Sequence, residues 1–313
     1  MIGTKTPLTQ STASLSSAGS DGSGADIVFD SHDERLFVKD LLEEHSSDIG
    51  TVRAAIQTHP LYDSSRYDDI WILRFVLSHK NDVDAASRAA MATMEFREAH
   101  NLNEKDLRGK IKHLDGVPSS EYGLPHSEKV EHCAEKYAAL VTLPDEHRGP
   151  IMYIYLSHLH MNKINETMTQ EDLKHYTIYI NEAVYQVLDS ITRKTGRLTK
   201  LLKIVDIDGI TLKKMNRGHI SKDAAASKEL DDYFPQLLGG MFIVNQPRLF
   251  NLIWKFARPL MPKRVVEKID FLPPNTEKVQ KSLARFVSEE NLLERYGGGN
   301  KEWPPLCVGS YFR

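Results

Sequence analysis

Leu201-Leu202-Lys203-Ile204-Val205-Asp206-Ile207, followed at once by Asp208-Gly209, is the stretch on which the fold turns. A short run of large apolar and β-branched residues closed by a turn dipeptide reads as a strand. Upstream, residues 170–194 place Leu173, Tyr176, Ile180, Val184, Val187 and Leu188 on one helical face. Downstream, residues 211–231 carry a weaker helical pattern and residues 248–258 a strongly apolar one. Three further runs read as strands: 150–157 (PIMYIYLS), 240–245 (GMFIVN) and 266–272 (VEKIDFL). Strands alternating with helices need crossover connections, so the sequence predicts an α/β fold with a mostly parallel sheet. No repeat with a solenoid-like period interrupts this order.

Before the first strand the period changes. From Ser31 to about Asn101 apolar residues recur at helical spacing: Phe37, Val38, Leu41 and Leu42, then Ile70, Leu73 and Leu77, then Val83, Ala86, Ala90 and Met94. Asp68 and Asp82 stand where helix N-caps are expected. The start of this bundle is acidic, and the charge reads as a solvated face. Residues 1 to about 25 are rich in Ser, Thr and Gly with almost no large apolar side chain. Such a segment cannot bury enough surface to offset its ordering entropy and is expected to be a disordered tail.

Composition narrows the function. The 313 residues are 41% hydrophobic and 27% charged, with 40 Lys plus Arg against 43 Asp plus Glu. A net charge of −3 argues against a dedicated nucleic-acid binder. Two cysteines, Cys133 and Cys307, cannot build a disulfide framework, which points to a reducing compartment. No apolar run approaches the ~20 residues that span a bilayer, and no secretory signal pattern is present. G-x-S-x-G, G-x-G-x-x-G, P-loop, H-E-x-x-H and C-x-x-C motifs are all missing. His158 and His160 sit two apart and read as surface histidines rather than metal ligands. Asp206 and Asp208 read as a strand-to-turn cap rather than a catalytic pair. No metal and no cofactor is expected.

Seven motifs in order then resemble one family. Asp68-Asp69-Ile-Trp-Ile-Leu73-Arg74-Phe75 through His79-Lys80-Asn81-Asp82-Val83, followed by Glu95-Phe96-Arg97, resembles the N-terminal helical module of Sec14-like (CRAL-TRIO) proteins. Arg148-Gly149-Pro150-Ile-Met-Tyr153 is similar to the family's G-R-P-V-x-Y strand, with Arg and Gly exchanged. Ile204-Val205-Asp206-Ile207-Asp208-Gly209 is similar to its I-x-D-L-x-G strand end. Asp232-Tyr233-Phe234-Pro235, Gly239, Ile243-Val244-Asn245, Pro247 and Phe250 follow its next block. Pro259-Leu260, Lys268-Ile269, Glu290-Asn291-Leu292 and Tyr296-Gly297-Gly298 complete it.

The resemblance implies a Ser/Gly-rich tail (1–30), a helical module (31–110), a lipid-binding domain (111–300) and a C-terminal tail (301–313). The domain would have a sheet floor and a helical gate over a hydrophobic pocket. It implies a non-enzymatic lipid-binding and transfer protein with a phosphatidylinositol or phosphoinositide ligand, acting as a cytoplasmic monomer that docks transiently on anionic membranes. The gate falls on Leu249, Phe250, Ile253, Trp254 and Phe256, whose apolar residues cover more than one stripe. Nearby Arg248, Lys255, Arg258, Lys263, Arg264 and Lys268 suit an anionic surface. The family's two headgroup lysines correspond to Lys80 and Lys268. Its Arg before the first is His79, its Glu after Tyr-Pro is Gln236, and its Thr before the second is Val265. The pocket hydroxyls that hold phosphatidylcholine correspond to Met152, Leu201, Lys203 and Leu230, none of which carries a hydroxyl, so that lipid is disfavoured. Lys203 is expected to need an acidic partner or a ligand phosphate if it faces the pocket, and to face outward if the strand is shifted by one. Two other readings compete: a carrier of a sterol-, squalene- or tocopherol-like molecule, and a lipid-sensing signalling adaptor.

Overall fold

The computed structural model describes residues 35–301, apart from 109–123, 132, 134–137, 143–149, 212, 213, 215, 248, 249, 273, 275, 285 and 291, and apart from the side chains of 127, 131, 138–142 and 253. The Ser/Gly-rich tail, residues 302–313 with Cys307, and the Arg148-Gly149 pair therefore lie outside the described residues. So do Arg248, Leu249 and the side chain of Ile253.

Four helices open the chain: α1 (Val38–Glu44), α2 (Ser46–Ile56), α3 (Asp69–Ser78) and α4 (Val83–Ala99). The two expected caps are made. Asp68 accepts from Trp71 N at 3.1 Å and Asp82 from Ala85 N at 2.9 Å, satisfying donors that the first turn leaves orphaned. Short helices α5 (Ser127–Glu131) and α6 (Met161–Thr167) flank the first strands, β1 (Ala138–Thr142) and β2 (Pro150–Tyr155). The long helix α7 (Gln170–Thr195) starts at a reciprocal capping box between Thr169 and Asp172 and stops at Gly196, whose φ of 65° suits glycine. Then follow β3 (Leu201–Asp206), α8 (Arg217–Leu230), β4 (Leu238–Val244), α9 (Phe250–Ala257), α10 (Lys263–Val266), β5 (Ile269–Phe271) and α11 (Thr276–Leu283).

The sheet runs in the order β1-β2-β3-β4-β5, antiparallel at the β1 edge and parallel from β2 to β5. Its register decides what each face does. Ile151, Tyr153, Tyr155, Leu202, Ile204, Phe242 and Val244 point one way and pack with Val279, Leu283, Val287, Leu292, Leu293 and Tyr296, all below 9% exposure. The other face carries Met152, Ile154, Lys203, Val205, Met241, Ile243 and Ile269. These lean toward two further clusters, one built on α1–α4 with α7 and one around α6, Ile243 and Phe250.

The helical bundle grips the rest of the chain through α7. Arg97 donates from both terminal nitrogens to Glu182 at 2.7 and 2.9 Å. Arg193 on the same helix reaches Asp68 at 2.6 Å. The stretch before α1 is tied down as well: Leu198 N donates to Leu36 O and Val38 N to Gly196 O.

Candidate functional site

The two faces of the sheet are closed to different degrees. On the face covered by α11 the central apolar side chains are buried. On the opposite face Ile154, Lys203, Val205, Met241 and Ile269 all stay partly accessible, although β3 and β4 are interior strands. Among the described residues of that face only Met152 and Ile243 are buried, both at 7% exposure. Partial access on a face of interior strands that lies beneath helices is where a ligand floor is expected. Tyr176 of α7, Ile220 of α8 and Trp254 of α9 are partly buried against the same cluster as Val205, Met241 and Ile269. Ile180 and Ile154 pack likewise on the neighbouring cluster.

The α9 segment mixes buried and exposed apolar residues. Phe250 is buried, while Trp254 and Phe256 are partly exposed. The rings of Phe250 and Trp254 lie 5.3 and 4.9 Å from that of Phe271 on the sheet edge. Arg217 of α8 stands over Phe256 at 5.3 Å. Leu252 turns outward at 60% exposure, and Phe271 is 38% exposed. Lys255, Arg258 and Lys263 are exposed nearby, so an apolar tip sits within a basic surround.

The rim residues come together in part. His79 caps α3, and Lys80 follows it, exposed, with a positive φ of 53°. Gln236, also at positive φ, donates from Nε2 to Ser78 Oγ at 3.0 Å and so joins the α8–β4 loop to the end of α3. Lys268 is half-buried and donates to the Leu238 carbonyl at 2.6 Å. Burial lowers its pKa against the pull of Asp231. Val265 lies one turn earlier, partly buried. Arg264 is not free for a ligand, because it pairs with Asp231 and with Asp232. Burial also lowers the pKa of His79, with Asp232 opposing.

One cation at this rim escaped the sequence reading. Lys200 makes no hydrogen bond or ion pair among the described residues, and burial, then the charges of Lys268 and Arg74, pull its pKa down to about 8. It lies just before β3, and strand patterning gave no reason to single it out.

Of the residues matched to pocket hydroxyls, Met152 and Lys203 stand side by side on the floor. Leu201 and Leu230, at 1% and 0% exposure, are packed into the core beside the N-terminal helices. Asp206 is a structural acceptor, as expected of a strand-to-turn cap. It takes hydrogen bonds from Asp208 N, Asn245 and Tyr296 and pairs with Arg295. His158 and His160 are exposed, and no group of three metal-ligating side chains occurs among the described residues. A separate open cleft of about 410 Å³, lined by Asp208, Asn245, Gln246 and Arg295, holds none of the expected ligand residues.

The sheet thus has one sealed face and one partly accessible apolar face beneath α7, α8 and α9, and comparison with known proteins supplies the family. The family model described as CRAL/TRIO domain matches residues 134–298, more than half of the chain. The chain belongs to the CRAL/TRIO family. It is similar to a CRAL-TRIO domain-containing protein of Saccharomyces cerevisiae, at 25% identity over 242 residues, covering 74% of this chain and 71% of that one. It is 23% identical over 237 residues to the SEC14 cytosolic factor of Kluyveromyces lactis, again covering 74% and 71%. It spans only 28% of the Drosophila melanogaster protein real-time, to which it is 21% identical over 193 residues. The crystal structure of Sfh5 shares the fold, with a TM-score of 0.55 at 12% identity over 85% of this chain and 88% of that one. The protein is thus a Sec14-like CRAL/TRIO lipid-binding protein, and no helix among its described residues is long and apolar enough to cross a membrane.

Proposed function

We propose that the protein is a non-enzymatic carrier that moves a lipid of the phosphatidylinositol class between membranes, as a monomer acting from the cytoplasm. The observation that carries this reading is the asymmetry of the sheet. One face is sealed, and the other keeps Ile154, Val205, Met241 and Ile269 partly accessible beneath helices. The physical problem such a pocket addresses is desorption. Two acyl chains hold on the order of 30 methylenes at ~0.8 kcal/mol each in water, so unaided exchange is slow. A pocket opened against the bilayer by α9 would pass the chains from lipid to protein without a wet intermediate. Leu252, Trp254 and Phe256 supply the apolar contact, and Lys255, Arg258 and Lys263 the attraction to an anionic surface.

Lys80 and Lys268 support a phosphorylated headgroup at the rim, since each offers a point charge to phosphate. Lys200 adds a third cation beside Lys268. A carrier of a wholly apolar molecule is the second reading, supported by the methionine and leucines that stand in place of pocket hydroxyls.

The test is transfer of labelled phosphatidylinositol between vesicles by the Lys80→Ala, Lys268→Ala double variant. Lys80 is exposed, and such changes cost under ~0.5 kcal/mol. Transfer should fall by about tenfold or more while the far-ultraviolet spectrum stays unchanged, since losing one charged phosphate contact alone is worth that much. Unchanged transfer would remove the headgroup assignment and favour the apolar ligand.

A further inference from the structure

The floor of the pocket is not wholly apolar. In register across the sheet run Met152, Lys203, Met241 and Ile269, so one ammonium stands in a row of hydrocarbon and thioether side chains. Lys203 lies on an interior strand with β2 on one side and β4 on the other. The residue is only partly accessible, and its neighbours in the row are hydrocarbon or thioether side chains. Its ammonium makes no hydrogen bond and no ion pair among the described residues. Burial lowers its pKa, and the one charge that opposes this is Asp223 of α8. An unpaired ammonium among apolar groups is costly, and folds keep such groups only when something pairs with them.

A second polar group adjoins the same carboxylate. His219 of α8 is 7% exposed, and its Nδ1 has no hydrogen-bond partner among the described residues. Burial lowers its pKa, and Asp223 again opposes. Asp223, one turn along α8 from His219, thus acts electrostatically on both Lys203 and His219. A single exposed carboxylate cannot satisfy both. A cavity meant only for hydrocarbon would place a third apolar residue between Met152 and Met241.

We propose that Lys203 is an anion subsite inside the pocket, which receives the acid group of a lipid, a carboxylate or a phosphate, whose chain lies over Ile154, Val205 and Met241. The inference rests on the lipid-pocket reading above, and it is separate from the rim cations Lys80 and Lys268. The acid group pairs with the ammonium. The sulfur-bearing neighbours Met152 and Met241 adapt their shape to the chain. Fatty acids and lysophosphatidic acids both carry such a group, the first as a carboxylate and the second as a phosphate.

The full chain would be titrated with a long-chain fatty acid, with lysophosphatidic acid and with the fatty alcohol of the same length, each displacing a fluorescent lipid probe. The wild type should bind one of the two acids at least about tenfold tighter than the alcohol, the usual gain from one charge-assisted hydrogen bond in a dry site. Preference for the fatty acid identifies a carboxylate site, and preference for lysophosphatidic acid a phosphate site. Lys203→Met should erase the preference and leave alcohol binding unchanged or tighter. That variant replaces an unpaired ammonium by a side chain like its neighbours, so its thermal midpoint should be no lower than that of wild type. The Lys80→Ala, Lys268→Ala variant should keep the preference. If Lys203→Met still prefers the acid, or the wild type binds acid and alcohol alike while displacing the probe, the subsite is overturned and the pocket stands. If wild type takes up neither the probe nor any of the three lipids, the lipid-pocket reading falls and the subsite with it.

Discussion

Replacing Arg97 by Met tests what joins the helical bundle to the sheet lobe. Arg97 is the last residue of the Glu95-Phe96-Arg97 motif, near the C-terminal end of α4. Its two terminal nitrogens grip both oxygens of Glu182 on α7 at 2.7 and 2.9 Å, and its Nε donates to Asn103 at 2.8 Å. The Glu182 side chain is 0% exposed and that of Arg97 12%. Gln186 adds a further donor to the carboxylate at 2.8 Å. Arg97→Met keeps the aliphatic stem and removes the charge, leaving Glu182 buried with one amide donor. Breaking a buried pair in this way costs about 3–5 kcal/mol. For a unit of this size each kcal/mol moves the midpoint by roughly 2–4 °C, so the melt should drop by about 6–20 °C. The Arg97→Met, Glu182→Met double variant should recover most of that loss, because with both charges gone no unpaired ion remains. Thermal unfolding followed by circular dichroism on both single variants, the double and the wild type closes the cycle. A single-variant cost below about 1 kcal/mol, or a double variant as unstable as the two singles added, would refute the argument that the pair is a buried clamp.

Two further outcomes follow from exposure and charge. Leu252→Glu removes the most exposed apolar residue of α9 among the described side chains, where little packing is lost, so stability should hold within ~0.5 kcal/mol. Sedimentation with anionic vesicles should show binding weakened by roughly tenfold or more, since an inserted leucine is exchanged for a repelled carboxylate. Equal binding would exclude this tip as the docking face. Lys200 has a folded pKa near 8 against an ordinary 10.5. Between those values the unfolded chain binds the extra proton, so this lysine's contribution to stability rises with pH across that window and is unfavourable below it. Lys200→Met should be more stable than wild type at pH 7, and the gap should shrink as pH approaches 10.5. A gap that does not change with pH would show that the Lys200 charge is solvated.

Much of this architecture was open to reading in the sequence. Leu201 begins β3 as expected, and the helix read at 170–194 is α7 at Gln170–Thr195. Both carry a strong period and clear stops. The weaker limits shifted for identifiable reasons. The helix expected from Thr211 begins at Arg217, because the Asn216 side chain accepts from His219 N and caps it there. The strand expected at 266–272 shortens to Ile269–Phe271, because Lys263–Val266 closes a helical turn first. β4 begins two residues early, at Leu238, since Gly239 and Gly240 lack the side chains by which a strand is recognised yet pair well with β3. β1 was missed altogether: Ala138-Ala139-Leu140-Val141-Thr142 is short and shows no alternation, and its pairing with β2 is what makes it a strand.

The site was legible as a set of candidates, and its geometry was not, because facing depends on register and register is a tertiary property. The Lys203 motif fits either orientation: one residue of slip would turn it toward α11. In the structure it pairs with Met152 and Met241, and that parity puts Ile204 with Tyr153 and Phe242 on the sealed face. Sealing then constrains the rest. Tyr153, Ile204 and Phe242 are at 0%, 0% and 3% exposure, so an ammonium among them would have no water, and the carboxylate on that face, Asp206, is already paired with Arg295. On the open face Lys203 keeps partial access and a carboxylate on α8 within electrostatic reach. The lysine therefore stands on the side of the strand that water or a charged group can reach, which is the side the proposed ligand would occupy.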